Sequence, residues 1–314
     1  MAGEFSKAEG KRVALINNES VAIKRMYKEA LRDIAVRIKF LETRTNISSV
    51  LRVQYLEELR KEIQDALERI DTYTYKAIVN DMETVAQAVV RDNSQLLKQM
   101  GFSDALSSTA FLYVPKDVVN EIITGKLYEG RWNLSRAIWN DNALKNKELE
   151  TIVAKGVALQ KSTYDIAKDL EKYVNPRVQK PWGWSKVYPG VRRVIDYNAQ
   201  RLARTMVSHA YQESFVRTTK GNPFIEAYKW LISNSDRVCP LCIERSTTDS
   251  YGLGAGVYPK DQLPLDHPNG MCTFSIVMVK SYIEIADDLA NWAQGTGNKD
   301  LNKALDKFAN SLKK

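Results

Sequence analysis

Only three cysteines and two histidines occur in 314 residues. Three thiols cannot close a disulfide framework without leaving one unpaired. The sequence also lacks an apolar run of about 18 residues and a basic leader followed by an apolar stretch, so it reads as neither membrane-spanning nor carrying a signal peptide. The expected setting is therefore a reducing cytoplasm, where cysteines serve metal in preference to disulfides. No block of a single charge sign dominates. The excess of 46 basic over 38 acidic residues gives a net charge of +8, which fits a polyanionic neighbour such as nucleic acid or an acidic protein surface, or charge dispersed over solvated helix faces.

The few metal-binding side chains are pooled. Cys239-Pro-Leu-Cys242 is followed by His267 and Cys272, so every cysteine and one histidine share one segment. A CxxC turn brings two sulfurs to one side, and a return loop delivering a histidine and a third sulfur completes a tetrahedral zinc shell. The intervening residues include Gly252, Gly254, Gly256, Pro259, Pro264 and Pro268 and few aliphatics, too little apolar surface to order the segment unaided. A structural Zn2+ held by Cys239, Cys242, His267 and Cys272 is the expectation. Two rival readings are a redox pair, for which the Gly/Pro-rich context is wrong, and a degenerate cluster that folds without metal.

The first hundred residues carry helical stripes. Ile23, Met26, Ala30, Ile34 and Ile38 form one; Leu56, Leu59, Ile63, Leu67 and Ile70 form a second after a break at Asn46-Ile-Ser-Ser. A third holds Ile78, Met82, Val85, Val89 and Leu96 and stops at Gly101. Such stripes bury against one another or a partner, which suggests a helical bundle. Pro115 opens a further helix, and helices are expected over 146–159, 162–173 and 192–219. Trp132, Ile138 and Trp139, with Arg131 and Arg136, make either a cation–π-laced core wall or a base-stacking surface. Between 175 and 193, Trp182 and Trp184 are interleaved with Arg177, Lys180, Lys186, Arg192 and Arg193. Single-stranded nucleic-acid sites use this composition, as do plain surface loops anchored by tryptophan. His209 lies in a helix beside Ser208 and near Glu213, but adjacency in sequence does not make a triad.

Residues 225–232 alternate as a strand, and a matching strand over 272–279 leaves the second half of the cysteine cluster. The expected fold class is mainly α, with a small C-terminal antiparallel β module like a zinc ribbon (α+β). Beyond Val279, the stripe Leu301, Ala304, Leu305, Phe308 and Leu312 follows a Gly-rich hinge at 294–298. A helix so short is marginal alone, so it docks on the body or a partner, or frays as chain ends do.

Several motifs in order produce a resemblance. Tyr128-Glu-Gly-Arg with Arg136, Ile138, Trp139 and Asp141 comes first, then Ser162, Tyr164, Ile166, Ala167 and Leu170. Ala199, Arg201 and Arg204-Thr205 follow, then Lys229-Trp230, Asp236, the CxxC pair and His267-Pro-Asn. Together they resemble the phage Mu F-like minor head proteins, the phage head morphogenesis family, over about 117–279. The resemblance implies a virion protein of tailed phages present in few copies at the portal vertex, in some members binding DNA or ejected with it. It implies the portal protein and double-stranded DNA bound without sequence preference as partners; scaffolding or major capsid protein is expected beside them, the amphipathic helices allow self-association, and the lack of a long apolar run speaks against a membrane. It also implies location in the phage head near the portal vertex, and in the host cytoplasm during assembly. Two departures stand out: Gly270 replaces a cysteine common in the family, and Met206 stands where relatives often carry glutamate.

On this reading residues 1–110 form an N-terminal helical bundle, 111–279 the head-morphogenesis region with the zinc-ribbon-like module at 225–279, and 280–314 a hinged amphipathic helix. A zinc-dependent enzyme or toxin-related domain acting on nucleic acid is the chief rival. Nucleobase deaminases need a His-x-Glu ahead of their cysteines, whereas His209 is followed by Ala210 and Tyr211; a non-enzyme is expected. A free cytoplasmic nucleic-acid-binding protein is the third class, without a helix-turn-helix or basic-region pattern to support it.

Overall fold

The computed structural model describes residues 4–42, 49–130, 133–158, 161, 165–166, 168–170, 197–233 and 238–312. The described residues are mainly helical with one small antiparallel sheet. They fall into two compact units, one comprising Met1–Ile16, Val79–Leu127 and Arg204–Lys314, the other Asn17–Ile78 and Tyr128–Ala203.

The longest helices are α1 (Ser6–Glu42) and α2 (Ser49–Met100). The second and third sequence stripes belong to the single helix α2, because nothing between Ile70 and Ile78 breaks a helix: the segment holds neither glycine nor proline. Gly101 does end it, with φ +102°. Its N–H donates to the Lys98 carbonyl and that of Phe102 to the Leu97 carbonyl, each at 3.0 Å, a left-handed glycine cap.

In the unit of Asn17–Ile78 and Tyr128–Ala203, Ile23, Tyr27, Leu31 and Ile34 of α1 are buried, as are Ile63, Leu67 and Ile70 of α2. Helix α5 (Leu134–Ala158) buries Leu134, Leu149, Ile152 and Val153. The α1 and α2 sets recur at three- and four-residue spacing, and Ile152 and Val153 lie three and four residues beyond Leu149, the one-sided stripe that stabilises helix packing.

The other unit holds α3 (Asp104–Thr109), capped by the Ser103 hydroxyl, and α4 (Val114–Thr124), with Pro115 in its first turn and Gly125 at its end. Helix α6 (Tyr197–Thr219) contributes its residues from Arg204 onward. After it come β1 (Ile225–Leu231), the short helix α7 (Pro240–Thr247), β2 (Val257–Pro259) and β3 (Thr273–Met278). Strand β1 is central, antiparallel to β2 on one side and β3 on the other. Ile225 pairs with Met278 and Ala227 with Val277, leaving exposed Glu226 as the extra residue of a bulge. The bulge shifts the alternation so that Ala227, Tyr228 and Trp230 are all buried. Phe215 of α6 meets Phe5 at 4.8 Å, Tyr228 at 5.2 Å and Phe274 at 5.9 Å between ring centroids, and Trp230 meets Phe274 edge-on at 5.1 Å. This aromatic layer seals the sheet against α6 and fixes its register.

Beyond the sheet lie two helices, α8 (Tyr282–Ala293) and α9 (Lys299–Ser311). Ser281 and Glu284 form a reciprocal capping box on α8, and Asn298 caps α9. The tail is packed against the body: Leu305, Phe308, Ala309 and Leu312 are buried, with Phe308 5.8 Å from Phe102 and 6.4 Å from Phe111. Among the described residues no helix is long and apolar enough to cross a membrane.

Candidate metal centre

The first half of the centre forms where β1 gives way to α7. Cys239 is the N-cap of α7, its Sγ accepting from the Cys242 N–H at 3.4 Å, and Pro240 occupies the first turn, where no N–H is needed. That turn directs both sulfurs the same way. The second half lies on the loop into β3, and His267 Nε2 approaches Cys239 Sγ at 3.2 Å and Cys242 Sγ at 3.1 Å. Cys272 Sγ stands 3.2 Å from Cys242 Sγ. The four expected ligands are thus brought together, with Cys242 at the junction.

Ligand atoms of Cys239, Cys242 and His267 all lie within 4.8 Å of one another, and so do those of Cys242, Asp266 and Cys272. The cluster can hold a metal ion, and three sulfurs with an imidazole nitrogen are donors suited to zinc. The histidine tautomer fits as well. His267 Nδ1 lies 3.0 Å from the Pro268 carbonyl; a carbonyl only accepts, so Nδ1 carries the proton and Nε2 presents its lone pair to the sulfurs.

Electrostatics set the thiols apart. Burial, then the neighbouring Cys272 and Cys239, push the Cys242 thiol well above its ordinary value. At Cys239 burial acts in the same direction, but hydrogen bonds from Cys242 and the adjacent His267 outweigh it and leave the thiol below its ordinary value. A divalent ion favours the thiolate at both positions.

Helix α6 holds the second half from beneath through a polar stripe that sequence reasoning missed. Thr205, Ser208, His209 and Gln212 are buried at i, i+3, i+4 and i+7 on one face. Thr205 Oγ1 accepts from the Asn269 N–H at 2.9 Å, and Ser208 Oγ donates to the Gly270 carbonyl at 3.1 Å. His209 Nε2 donates to the Asp266 carbonyl at 3.0 Å, while Gln212 donates to the Pro264 carbonyl at 2.7 Å and accepts from the Asp266 N–H at 2.8 Å. His209 therefore positions a loop, and burial, partly offset by the Asp266 hydrogen bond and charge, lowers its pKa so that the neutral ring is favoured. The signal was in the sequence: four polar residues at helical spacing in an otherwise apolar face. Arg12 of α1 completes the support, donating to the Cys272 carbonyl at 2.9 Å and the Met271 carbonyl at 3.2 Å with its guanidinium 4.8 Å from the Tyr211 ring centre.

Two glycines are required by close approach. A Cβ on Gly256 would lie 2.6 Å from the Ser246 carbonyl oxygen, at a φ of +70°. One on Gly270 would collide with the Asp266 carboxylate. Met206, where the resembled family often has glutamate, is a buried apolar residue of α6. Arg177, Lys180, Trp182, Trp184, Lys186, Arg192 and Arg193, the expected nucleic-acid contacts, lie outside the described residues.

Comparison of the chain with protein-family models, curated proteins and solved structures gives no match.

Proposed function

We propose that the protein is a non-catalytic minor head protein of a tailed bacteriophage, associated with the portal vertex and aiding head assembly and the packaging or delivery of DNA. The observation that carries the reading is the ordered series of motifs from Tyr128 to Asn269, ending in a CxxC pair and a His-Pro-Asn loop that meet within 3.2 Å. In this reading the centre is a zinc-ribbon-like clamp. Zinc, when bound, would cross-link the two half-sites, Cys239 and Cys242 holding the start of α7 and His267 and Cys272 the loop that leads into β3. The α6 stripe keeps the second half in place before the ion arrives, and a shell closed by protein donors leaves no position for an activated water.

The net positive charge suits packaged DNA or an acidic partner surface, with the portal protein, scaffolding or major capsid protein and further copies of the chain as the proposed protein partners. Residues 177–193 supply the proposed DNA contacts. Quantitative mass spectrometry of purified virions tests the assignment: a few copies per particle are expected, and absence from particles overturns it.

A further inference from the structure

We propose that Asp266 is an additional ligand of the metal centre, its Oδ2 joining the sulfurs of Cys242 and Cys272 on the ion. The proposal rests on the metal-binding reading above and extends it from four donors to five.

Asp266 is 4% exposed, and almost every polar atom it has is committed. Its N–H donates to Gln212 Oε1 at 2.8 Å, its carbonyl accepts from His209 Nε2 at 3.0 Å, and its Oδ1 accepts from the His267 N–H at 2.8 Å. Oδ2 alone is buried without a hydrogen-bond partner. Leaving a carboxylate oxygen so is costly, and buried carboxylates are retained where a cation or a paired charge receives them. The same carboxylate has an oxygen within 4.8 Å of both Cys242 Sγ and Cys272 Sγ. A divalent ion seated between the carboxylate and the two sulfurs would take all three as ligands and offset the cost of burying the acid.

Gly270 supplies the second half of the argument. Any side chain there would collide with the Asp266 carboxylate, so glycine keeps open the space that lets the carboxylate face the sulfurs. A cysteine at 270 and Asp266 in its present position are mutually exclusive. Zinc accommodates a fifth donor, and oxygen from aspartate is within its ordinary ligand set.

The test uses the full chain loaded with zinc, or with cobalt(II) as a spectroscopic substitute, in the parent and in Asp266→Asn and Gly270→Ala. X-ray absorption at the zinc edge is expected to show sulfur plus two nitrogen or oxygen neighbours in the parent and one fewer in each variant. Competition with a chromophoric chelator is expected to show about tenfold to a hundredfold weaker zinc binding in both variants. The cobalt ligand-field bands should intensify in both, because a five-donor shell absorbs more weakly than a tetrahedral one. Gly270→Ala retains the carboxylate and only displaces it, so it decides the matter if Asp266→Asn fails to fold. A parent shell identical to those of both variants overturns the role of Asp266 and leaves the metal reading intact. A parent chain that binds no zinc overturns both.

Discussion

The Arg12 guanidinium and the Cys272 carbonyl, 260 positions apart in the chain, are joined by a buried hydrogen bond of 2.9 Å. Because Nη2 also reaches the Met271 carbonyl, one side chain satisfies two consecutive acceptors of the loop that carries Cys272. The geometry of the centre therefore depends on a residue that is not a ligand.

Arg12→Met keeps most of the side-chain volume and abandons both acceptors. Unsatisfied buried acceptors are destabilising, so unfolding of the zinc-loaded variant in urea should show a loss of about 2 to 3 kcal/mol. Zinc affinity should fall while stoichiometry remains that of the parent. An unchanged unfolding midpoint would mean that water replaces the guanidinium without penalty.

The centre itself should bind one zinc per chain, as elemental analysis of protein purified without chelator can show. Cys242→Ser should be the most damaging of the three cysteine changes, since Cys242 Sγ touches both His267 and Cys272. Free zinc a thousandfold above its dissociation constant stabilises the folded chain by about 4 kcal/mol. Chelation should therefore lower the Tm markedly, and a Tm indifferent to chelator would show that the cluster folds without metal.

Burial raises the Asp81 carboxyl from 3.8 to about 6, a shift that the Asn80 hydrogen bond and the charge of Lys11 only partly offset. The folded chain then holds a proton that the unfolded chain releases, so stability declines as pH rises from about 4 to about 6 and is level above that. Asp81→Asn removes the decline. It should exceed the parent by about 2 to 3 kcal/mol at pH 7 and equal it below about pH 4, as measured by urea unfolding across pH. An advantage that does not depend on pH would place its cause elsewhere than in the carboxyl.

Phe308 should matter as much as a residue of the central layer. It is 2% exposed and meets Phe102 and Phe111, so Phe308→Ala should cost about 3 to 5 kcal/mol. Removing residues after Gly295 should lower the Tm at least as far. A truncated chain that melts like the parent would show that α9 contributes nothing to the body.

The clustering of Cys239, Cys242, His267 and Cys272 was legible because their chemistry is rare in this chain: four side chains of two scarce types leave few ways to be grouped. Strands β1 and β3 were legible because both are dense in β-branched and aromatic residues with polar residues interleaved, and Pro115 and Gly101 because their backbone limits act locally. Strand β2 was not, since three residues carry no period and its pairing depends on Gly256 seated under the Ser246 carbonyl. The continuity of α2 was hidden by Thr72, Tyr73, Thr74 and Tyr75, poor helix formers that packing overrides. Asp266 was passed over because an aspartate beside a His-Pro turn reads as an ordinary loop residue; only its burial sets it apart.

The unit that houses the centre is drawn from three stretches of chain, separated by the residues of the other unit. During synthesis its apolar faces from Val79–Leu127 emerge well before the segment bearing Cys239 to Phe308 that covers them. Long-range closure of this kind is slow, and surface waiting for a late partner invites association with other chains. The aggregation-exposed interval for this unit therefore runs from the appearance of Phe102 and Phe111 to the arrival of α9, and a ribosome that stalls within it leaves a chain unable to bury them.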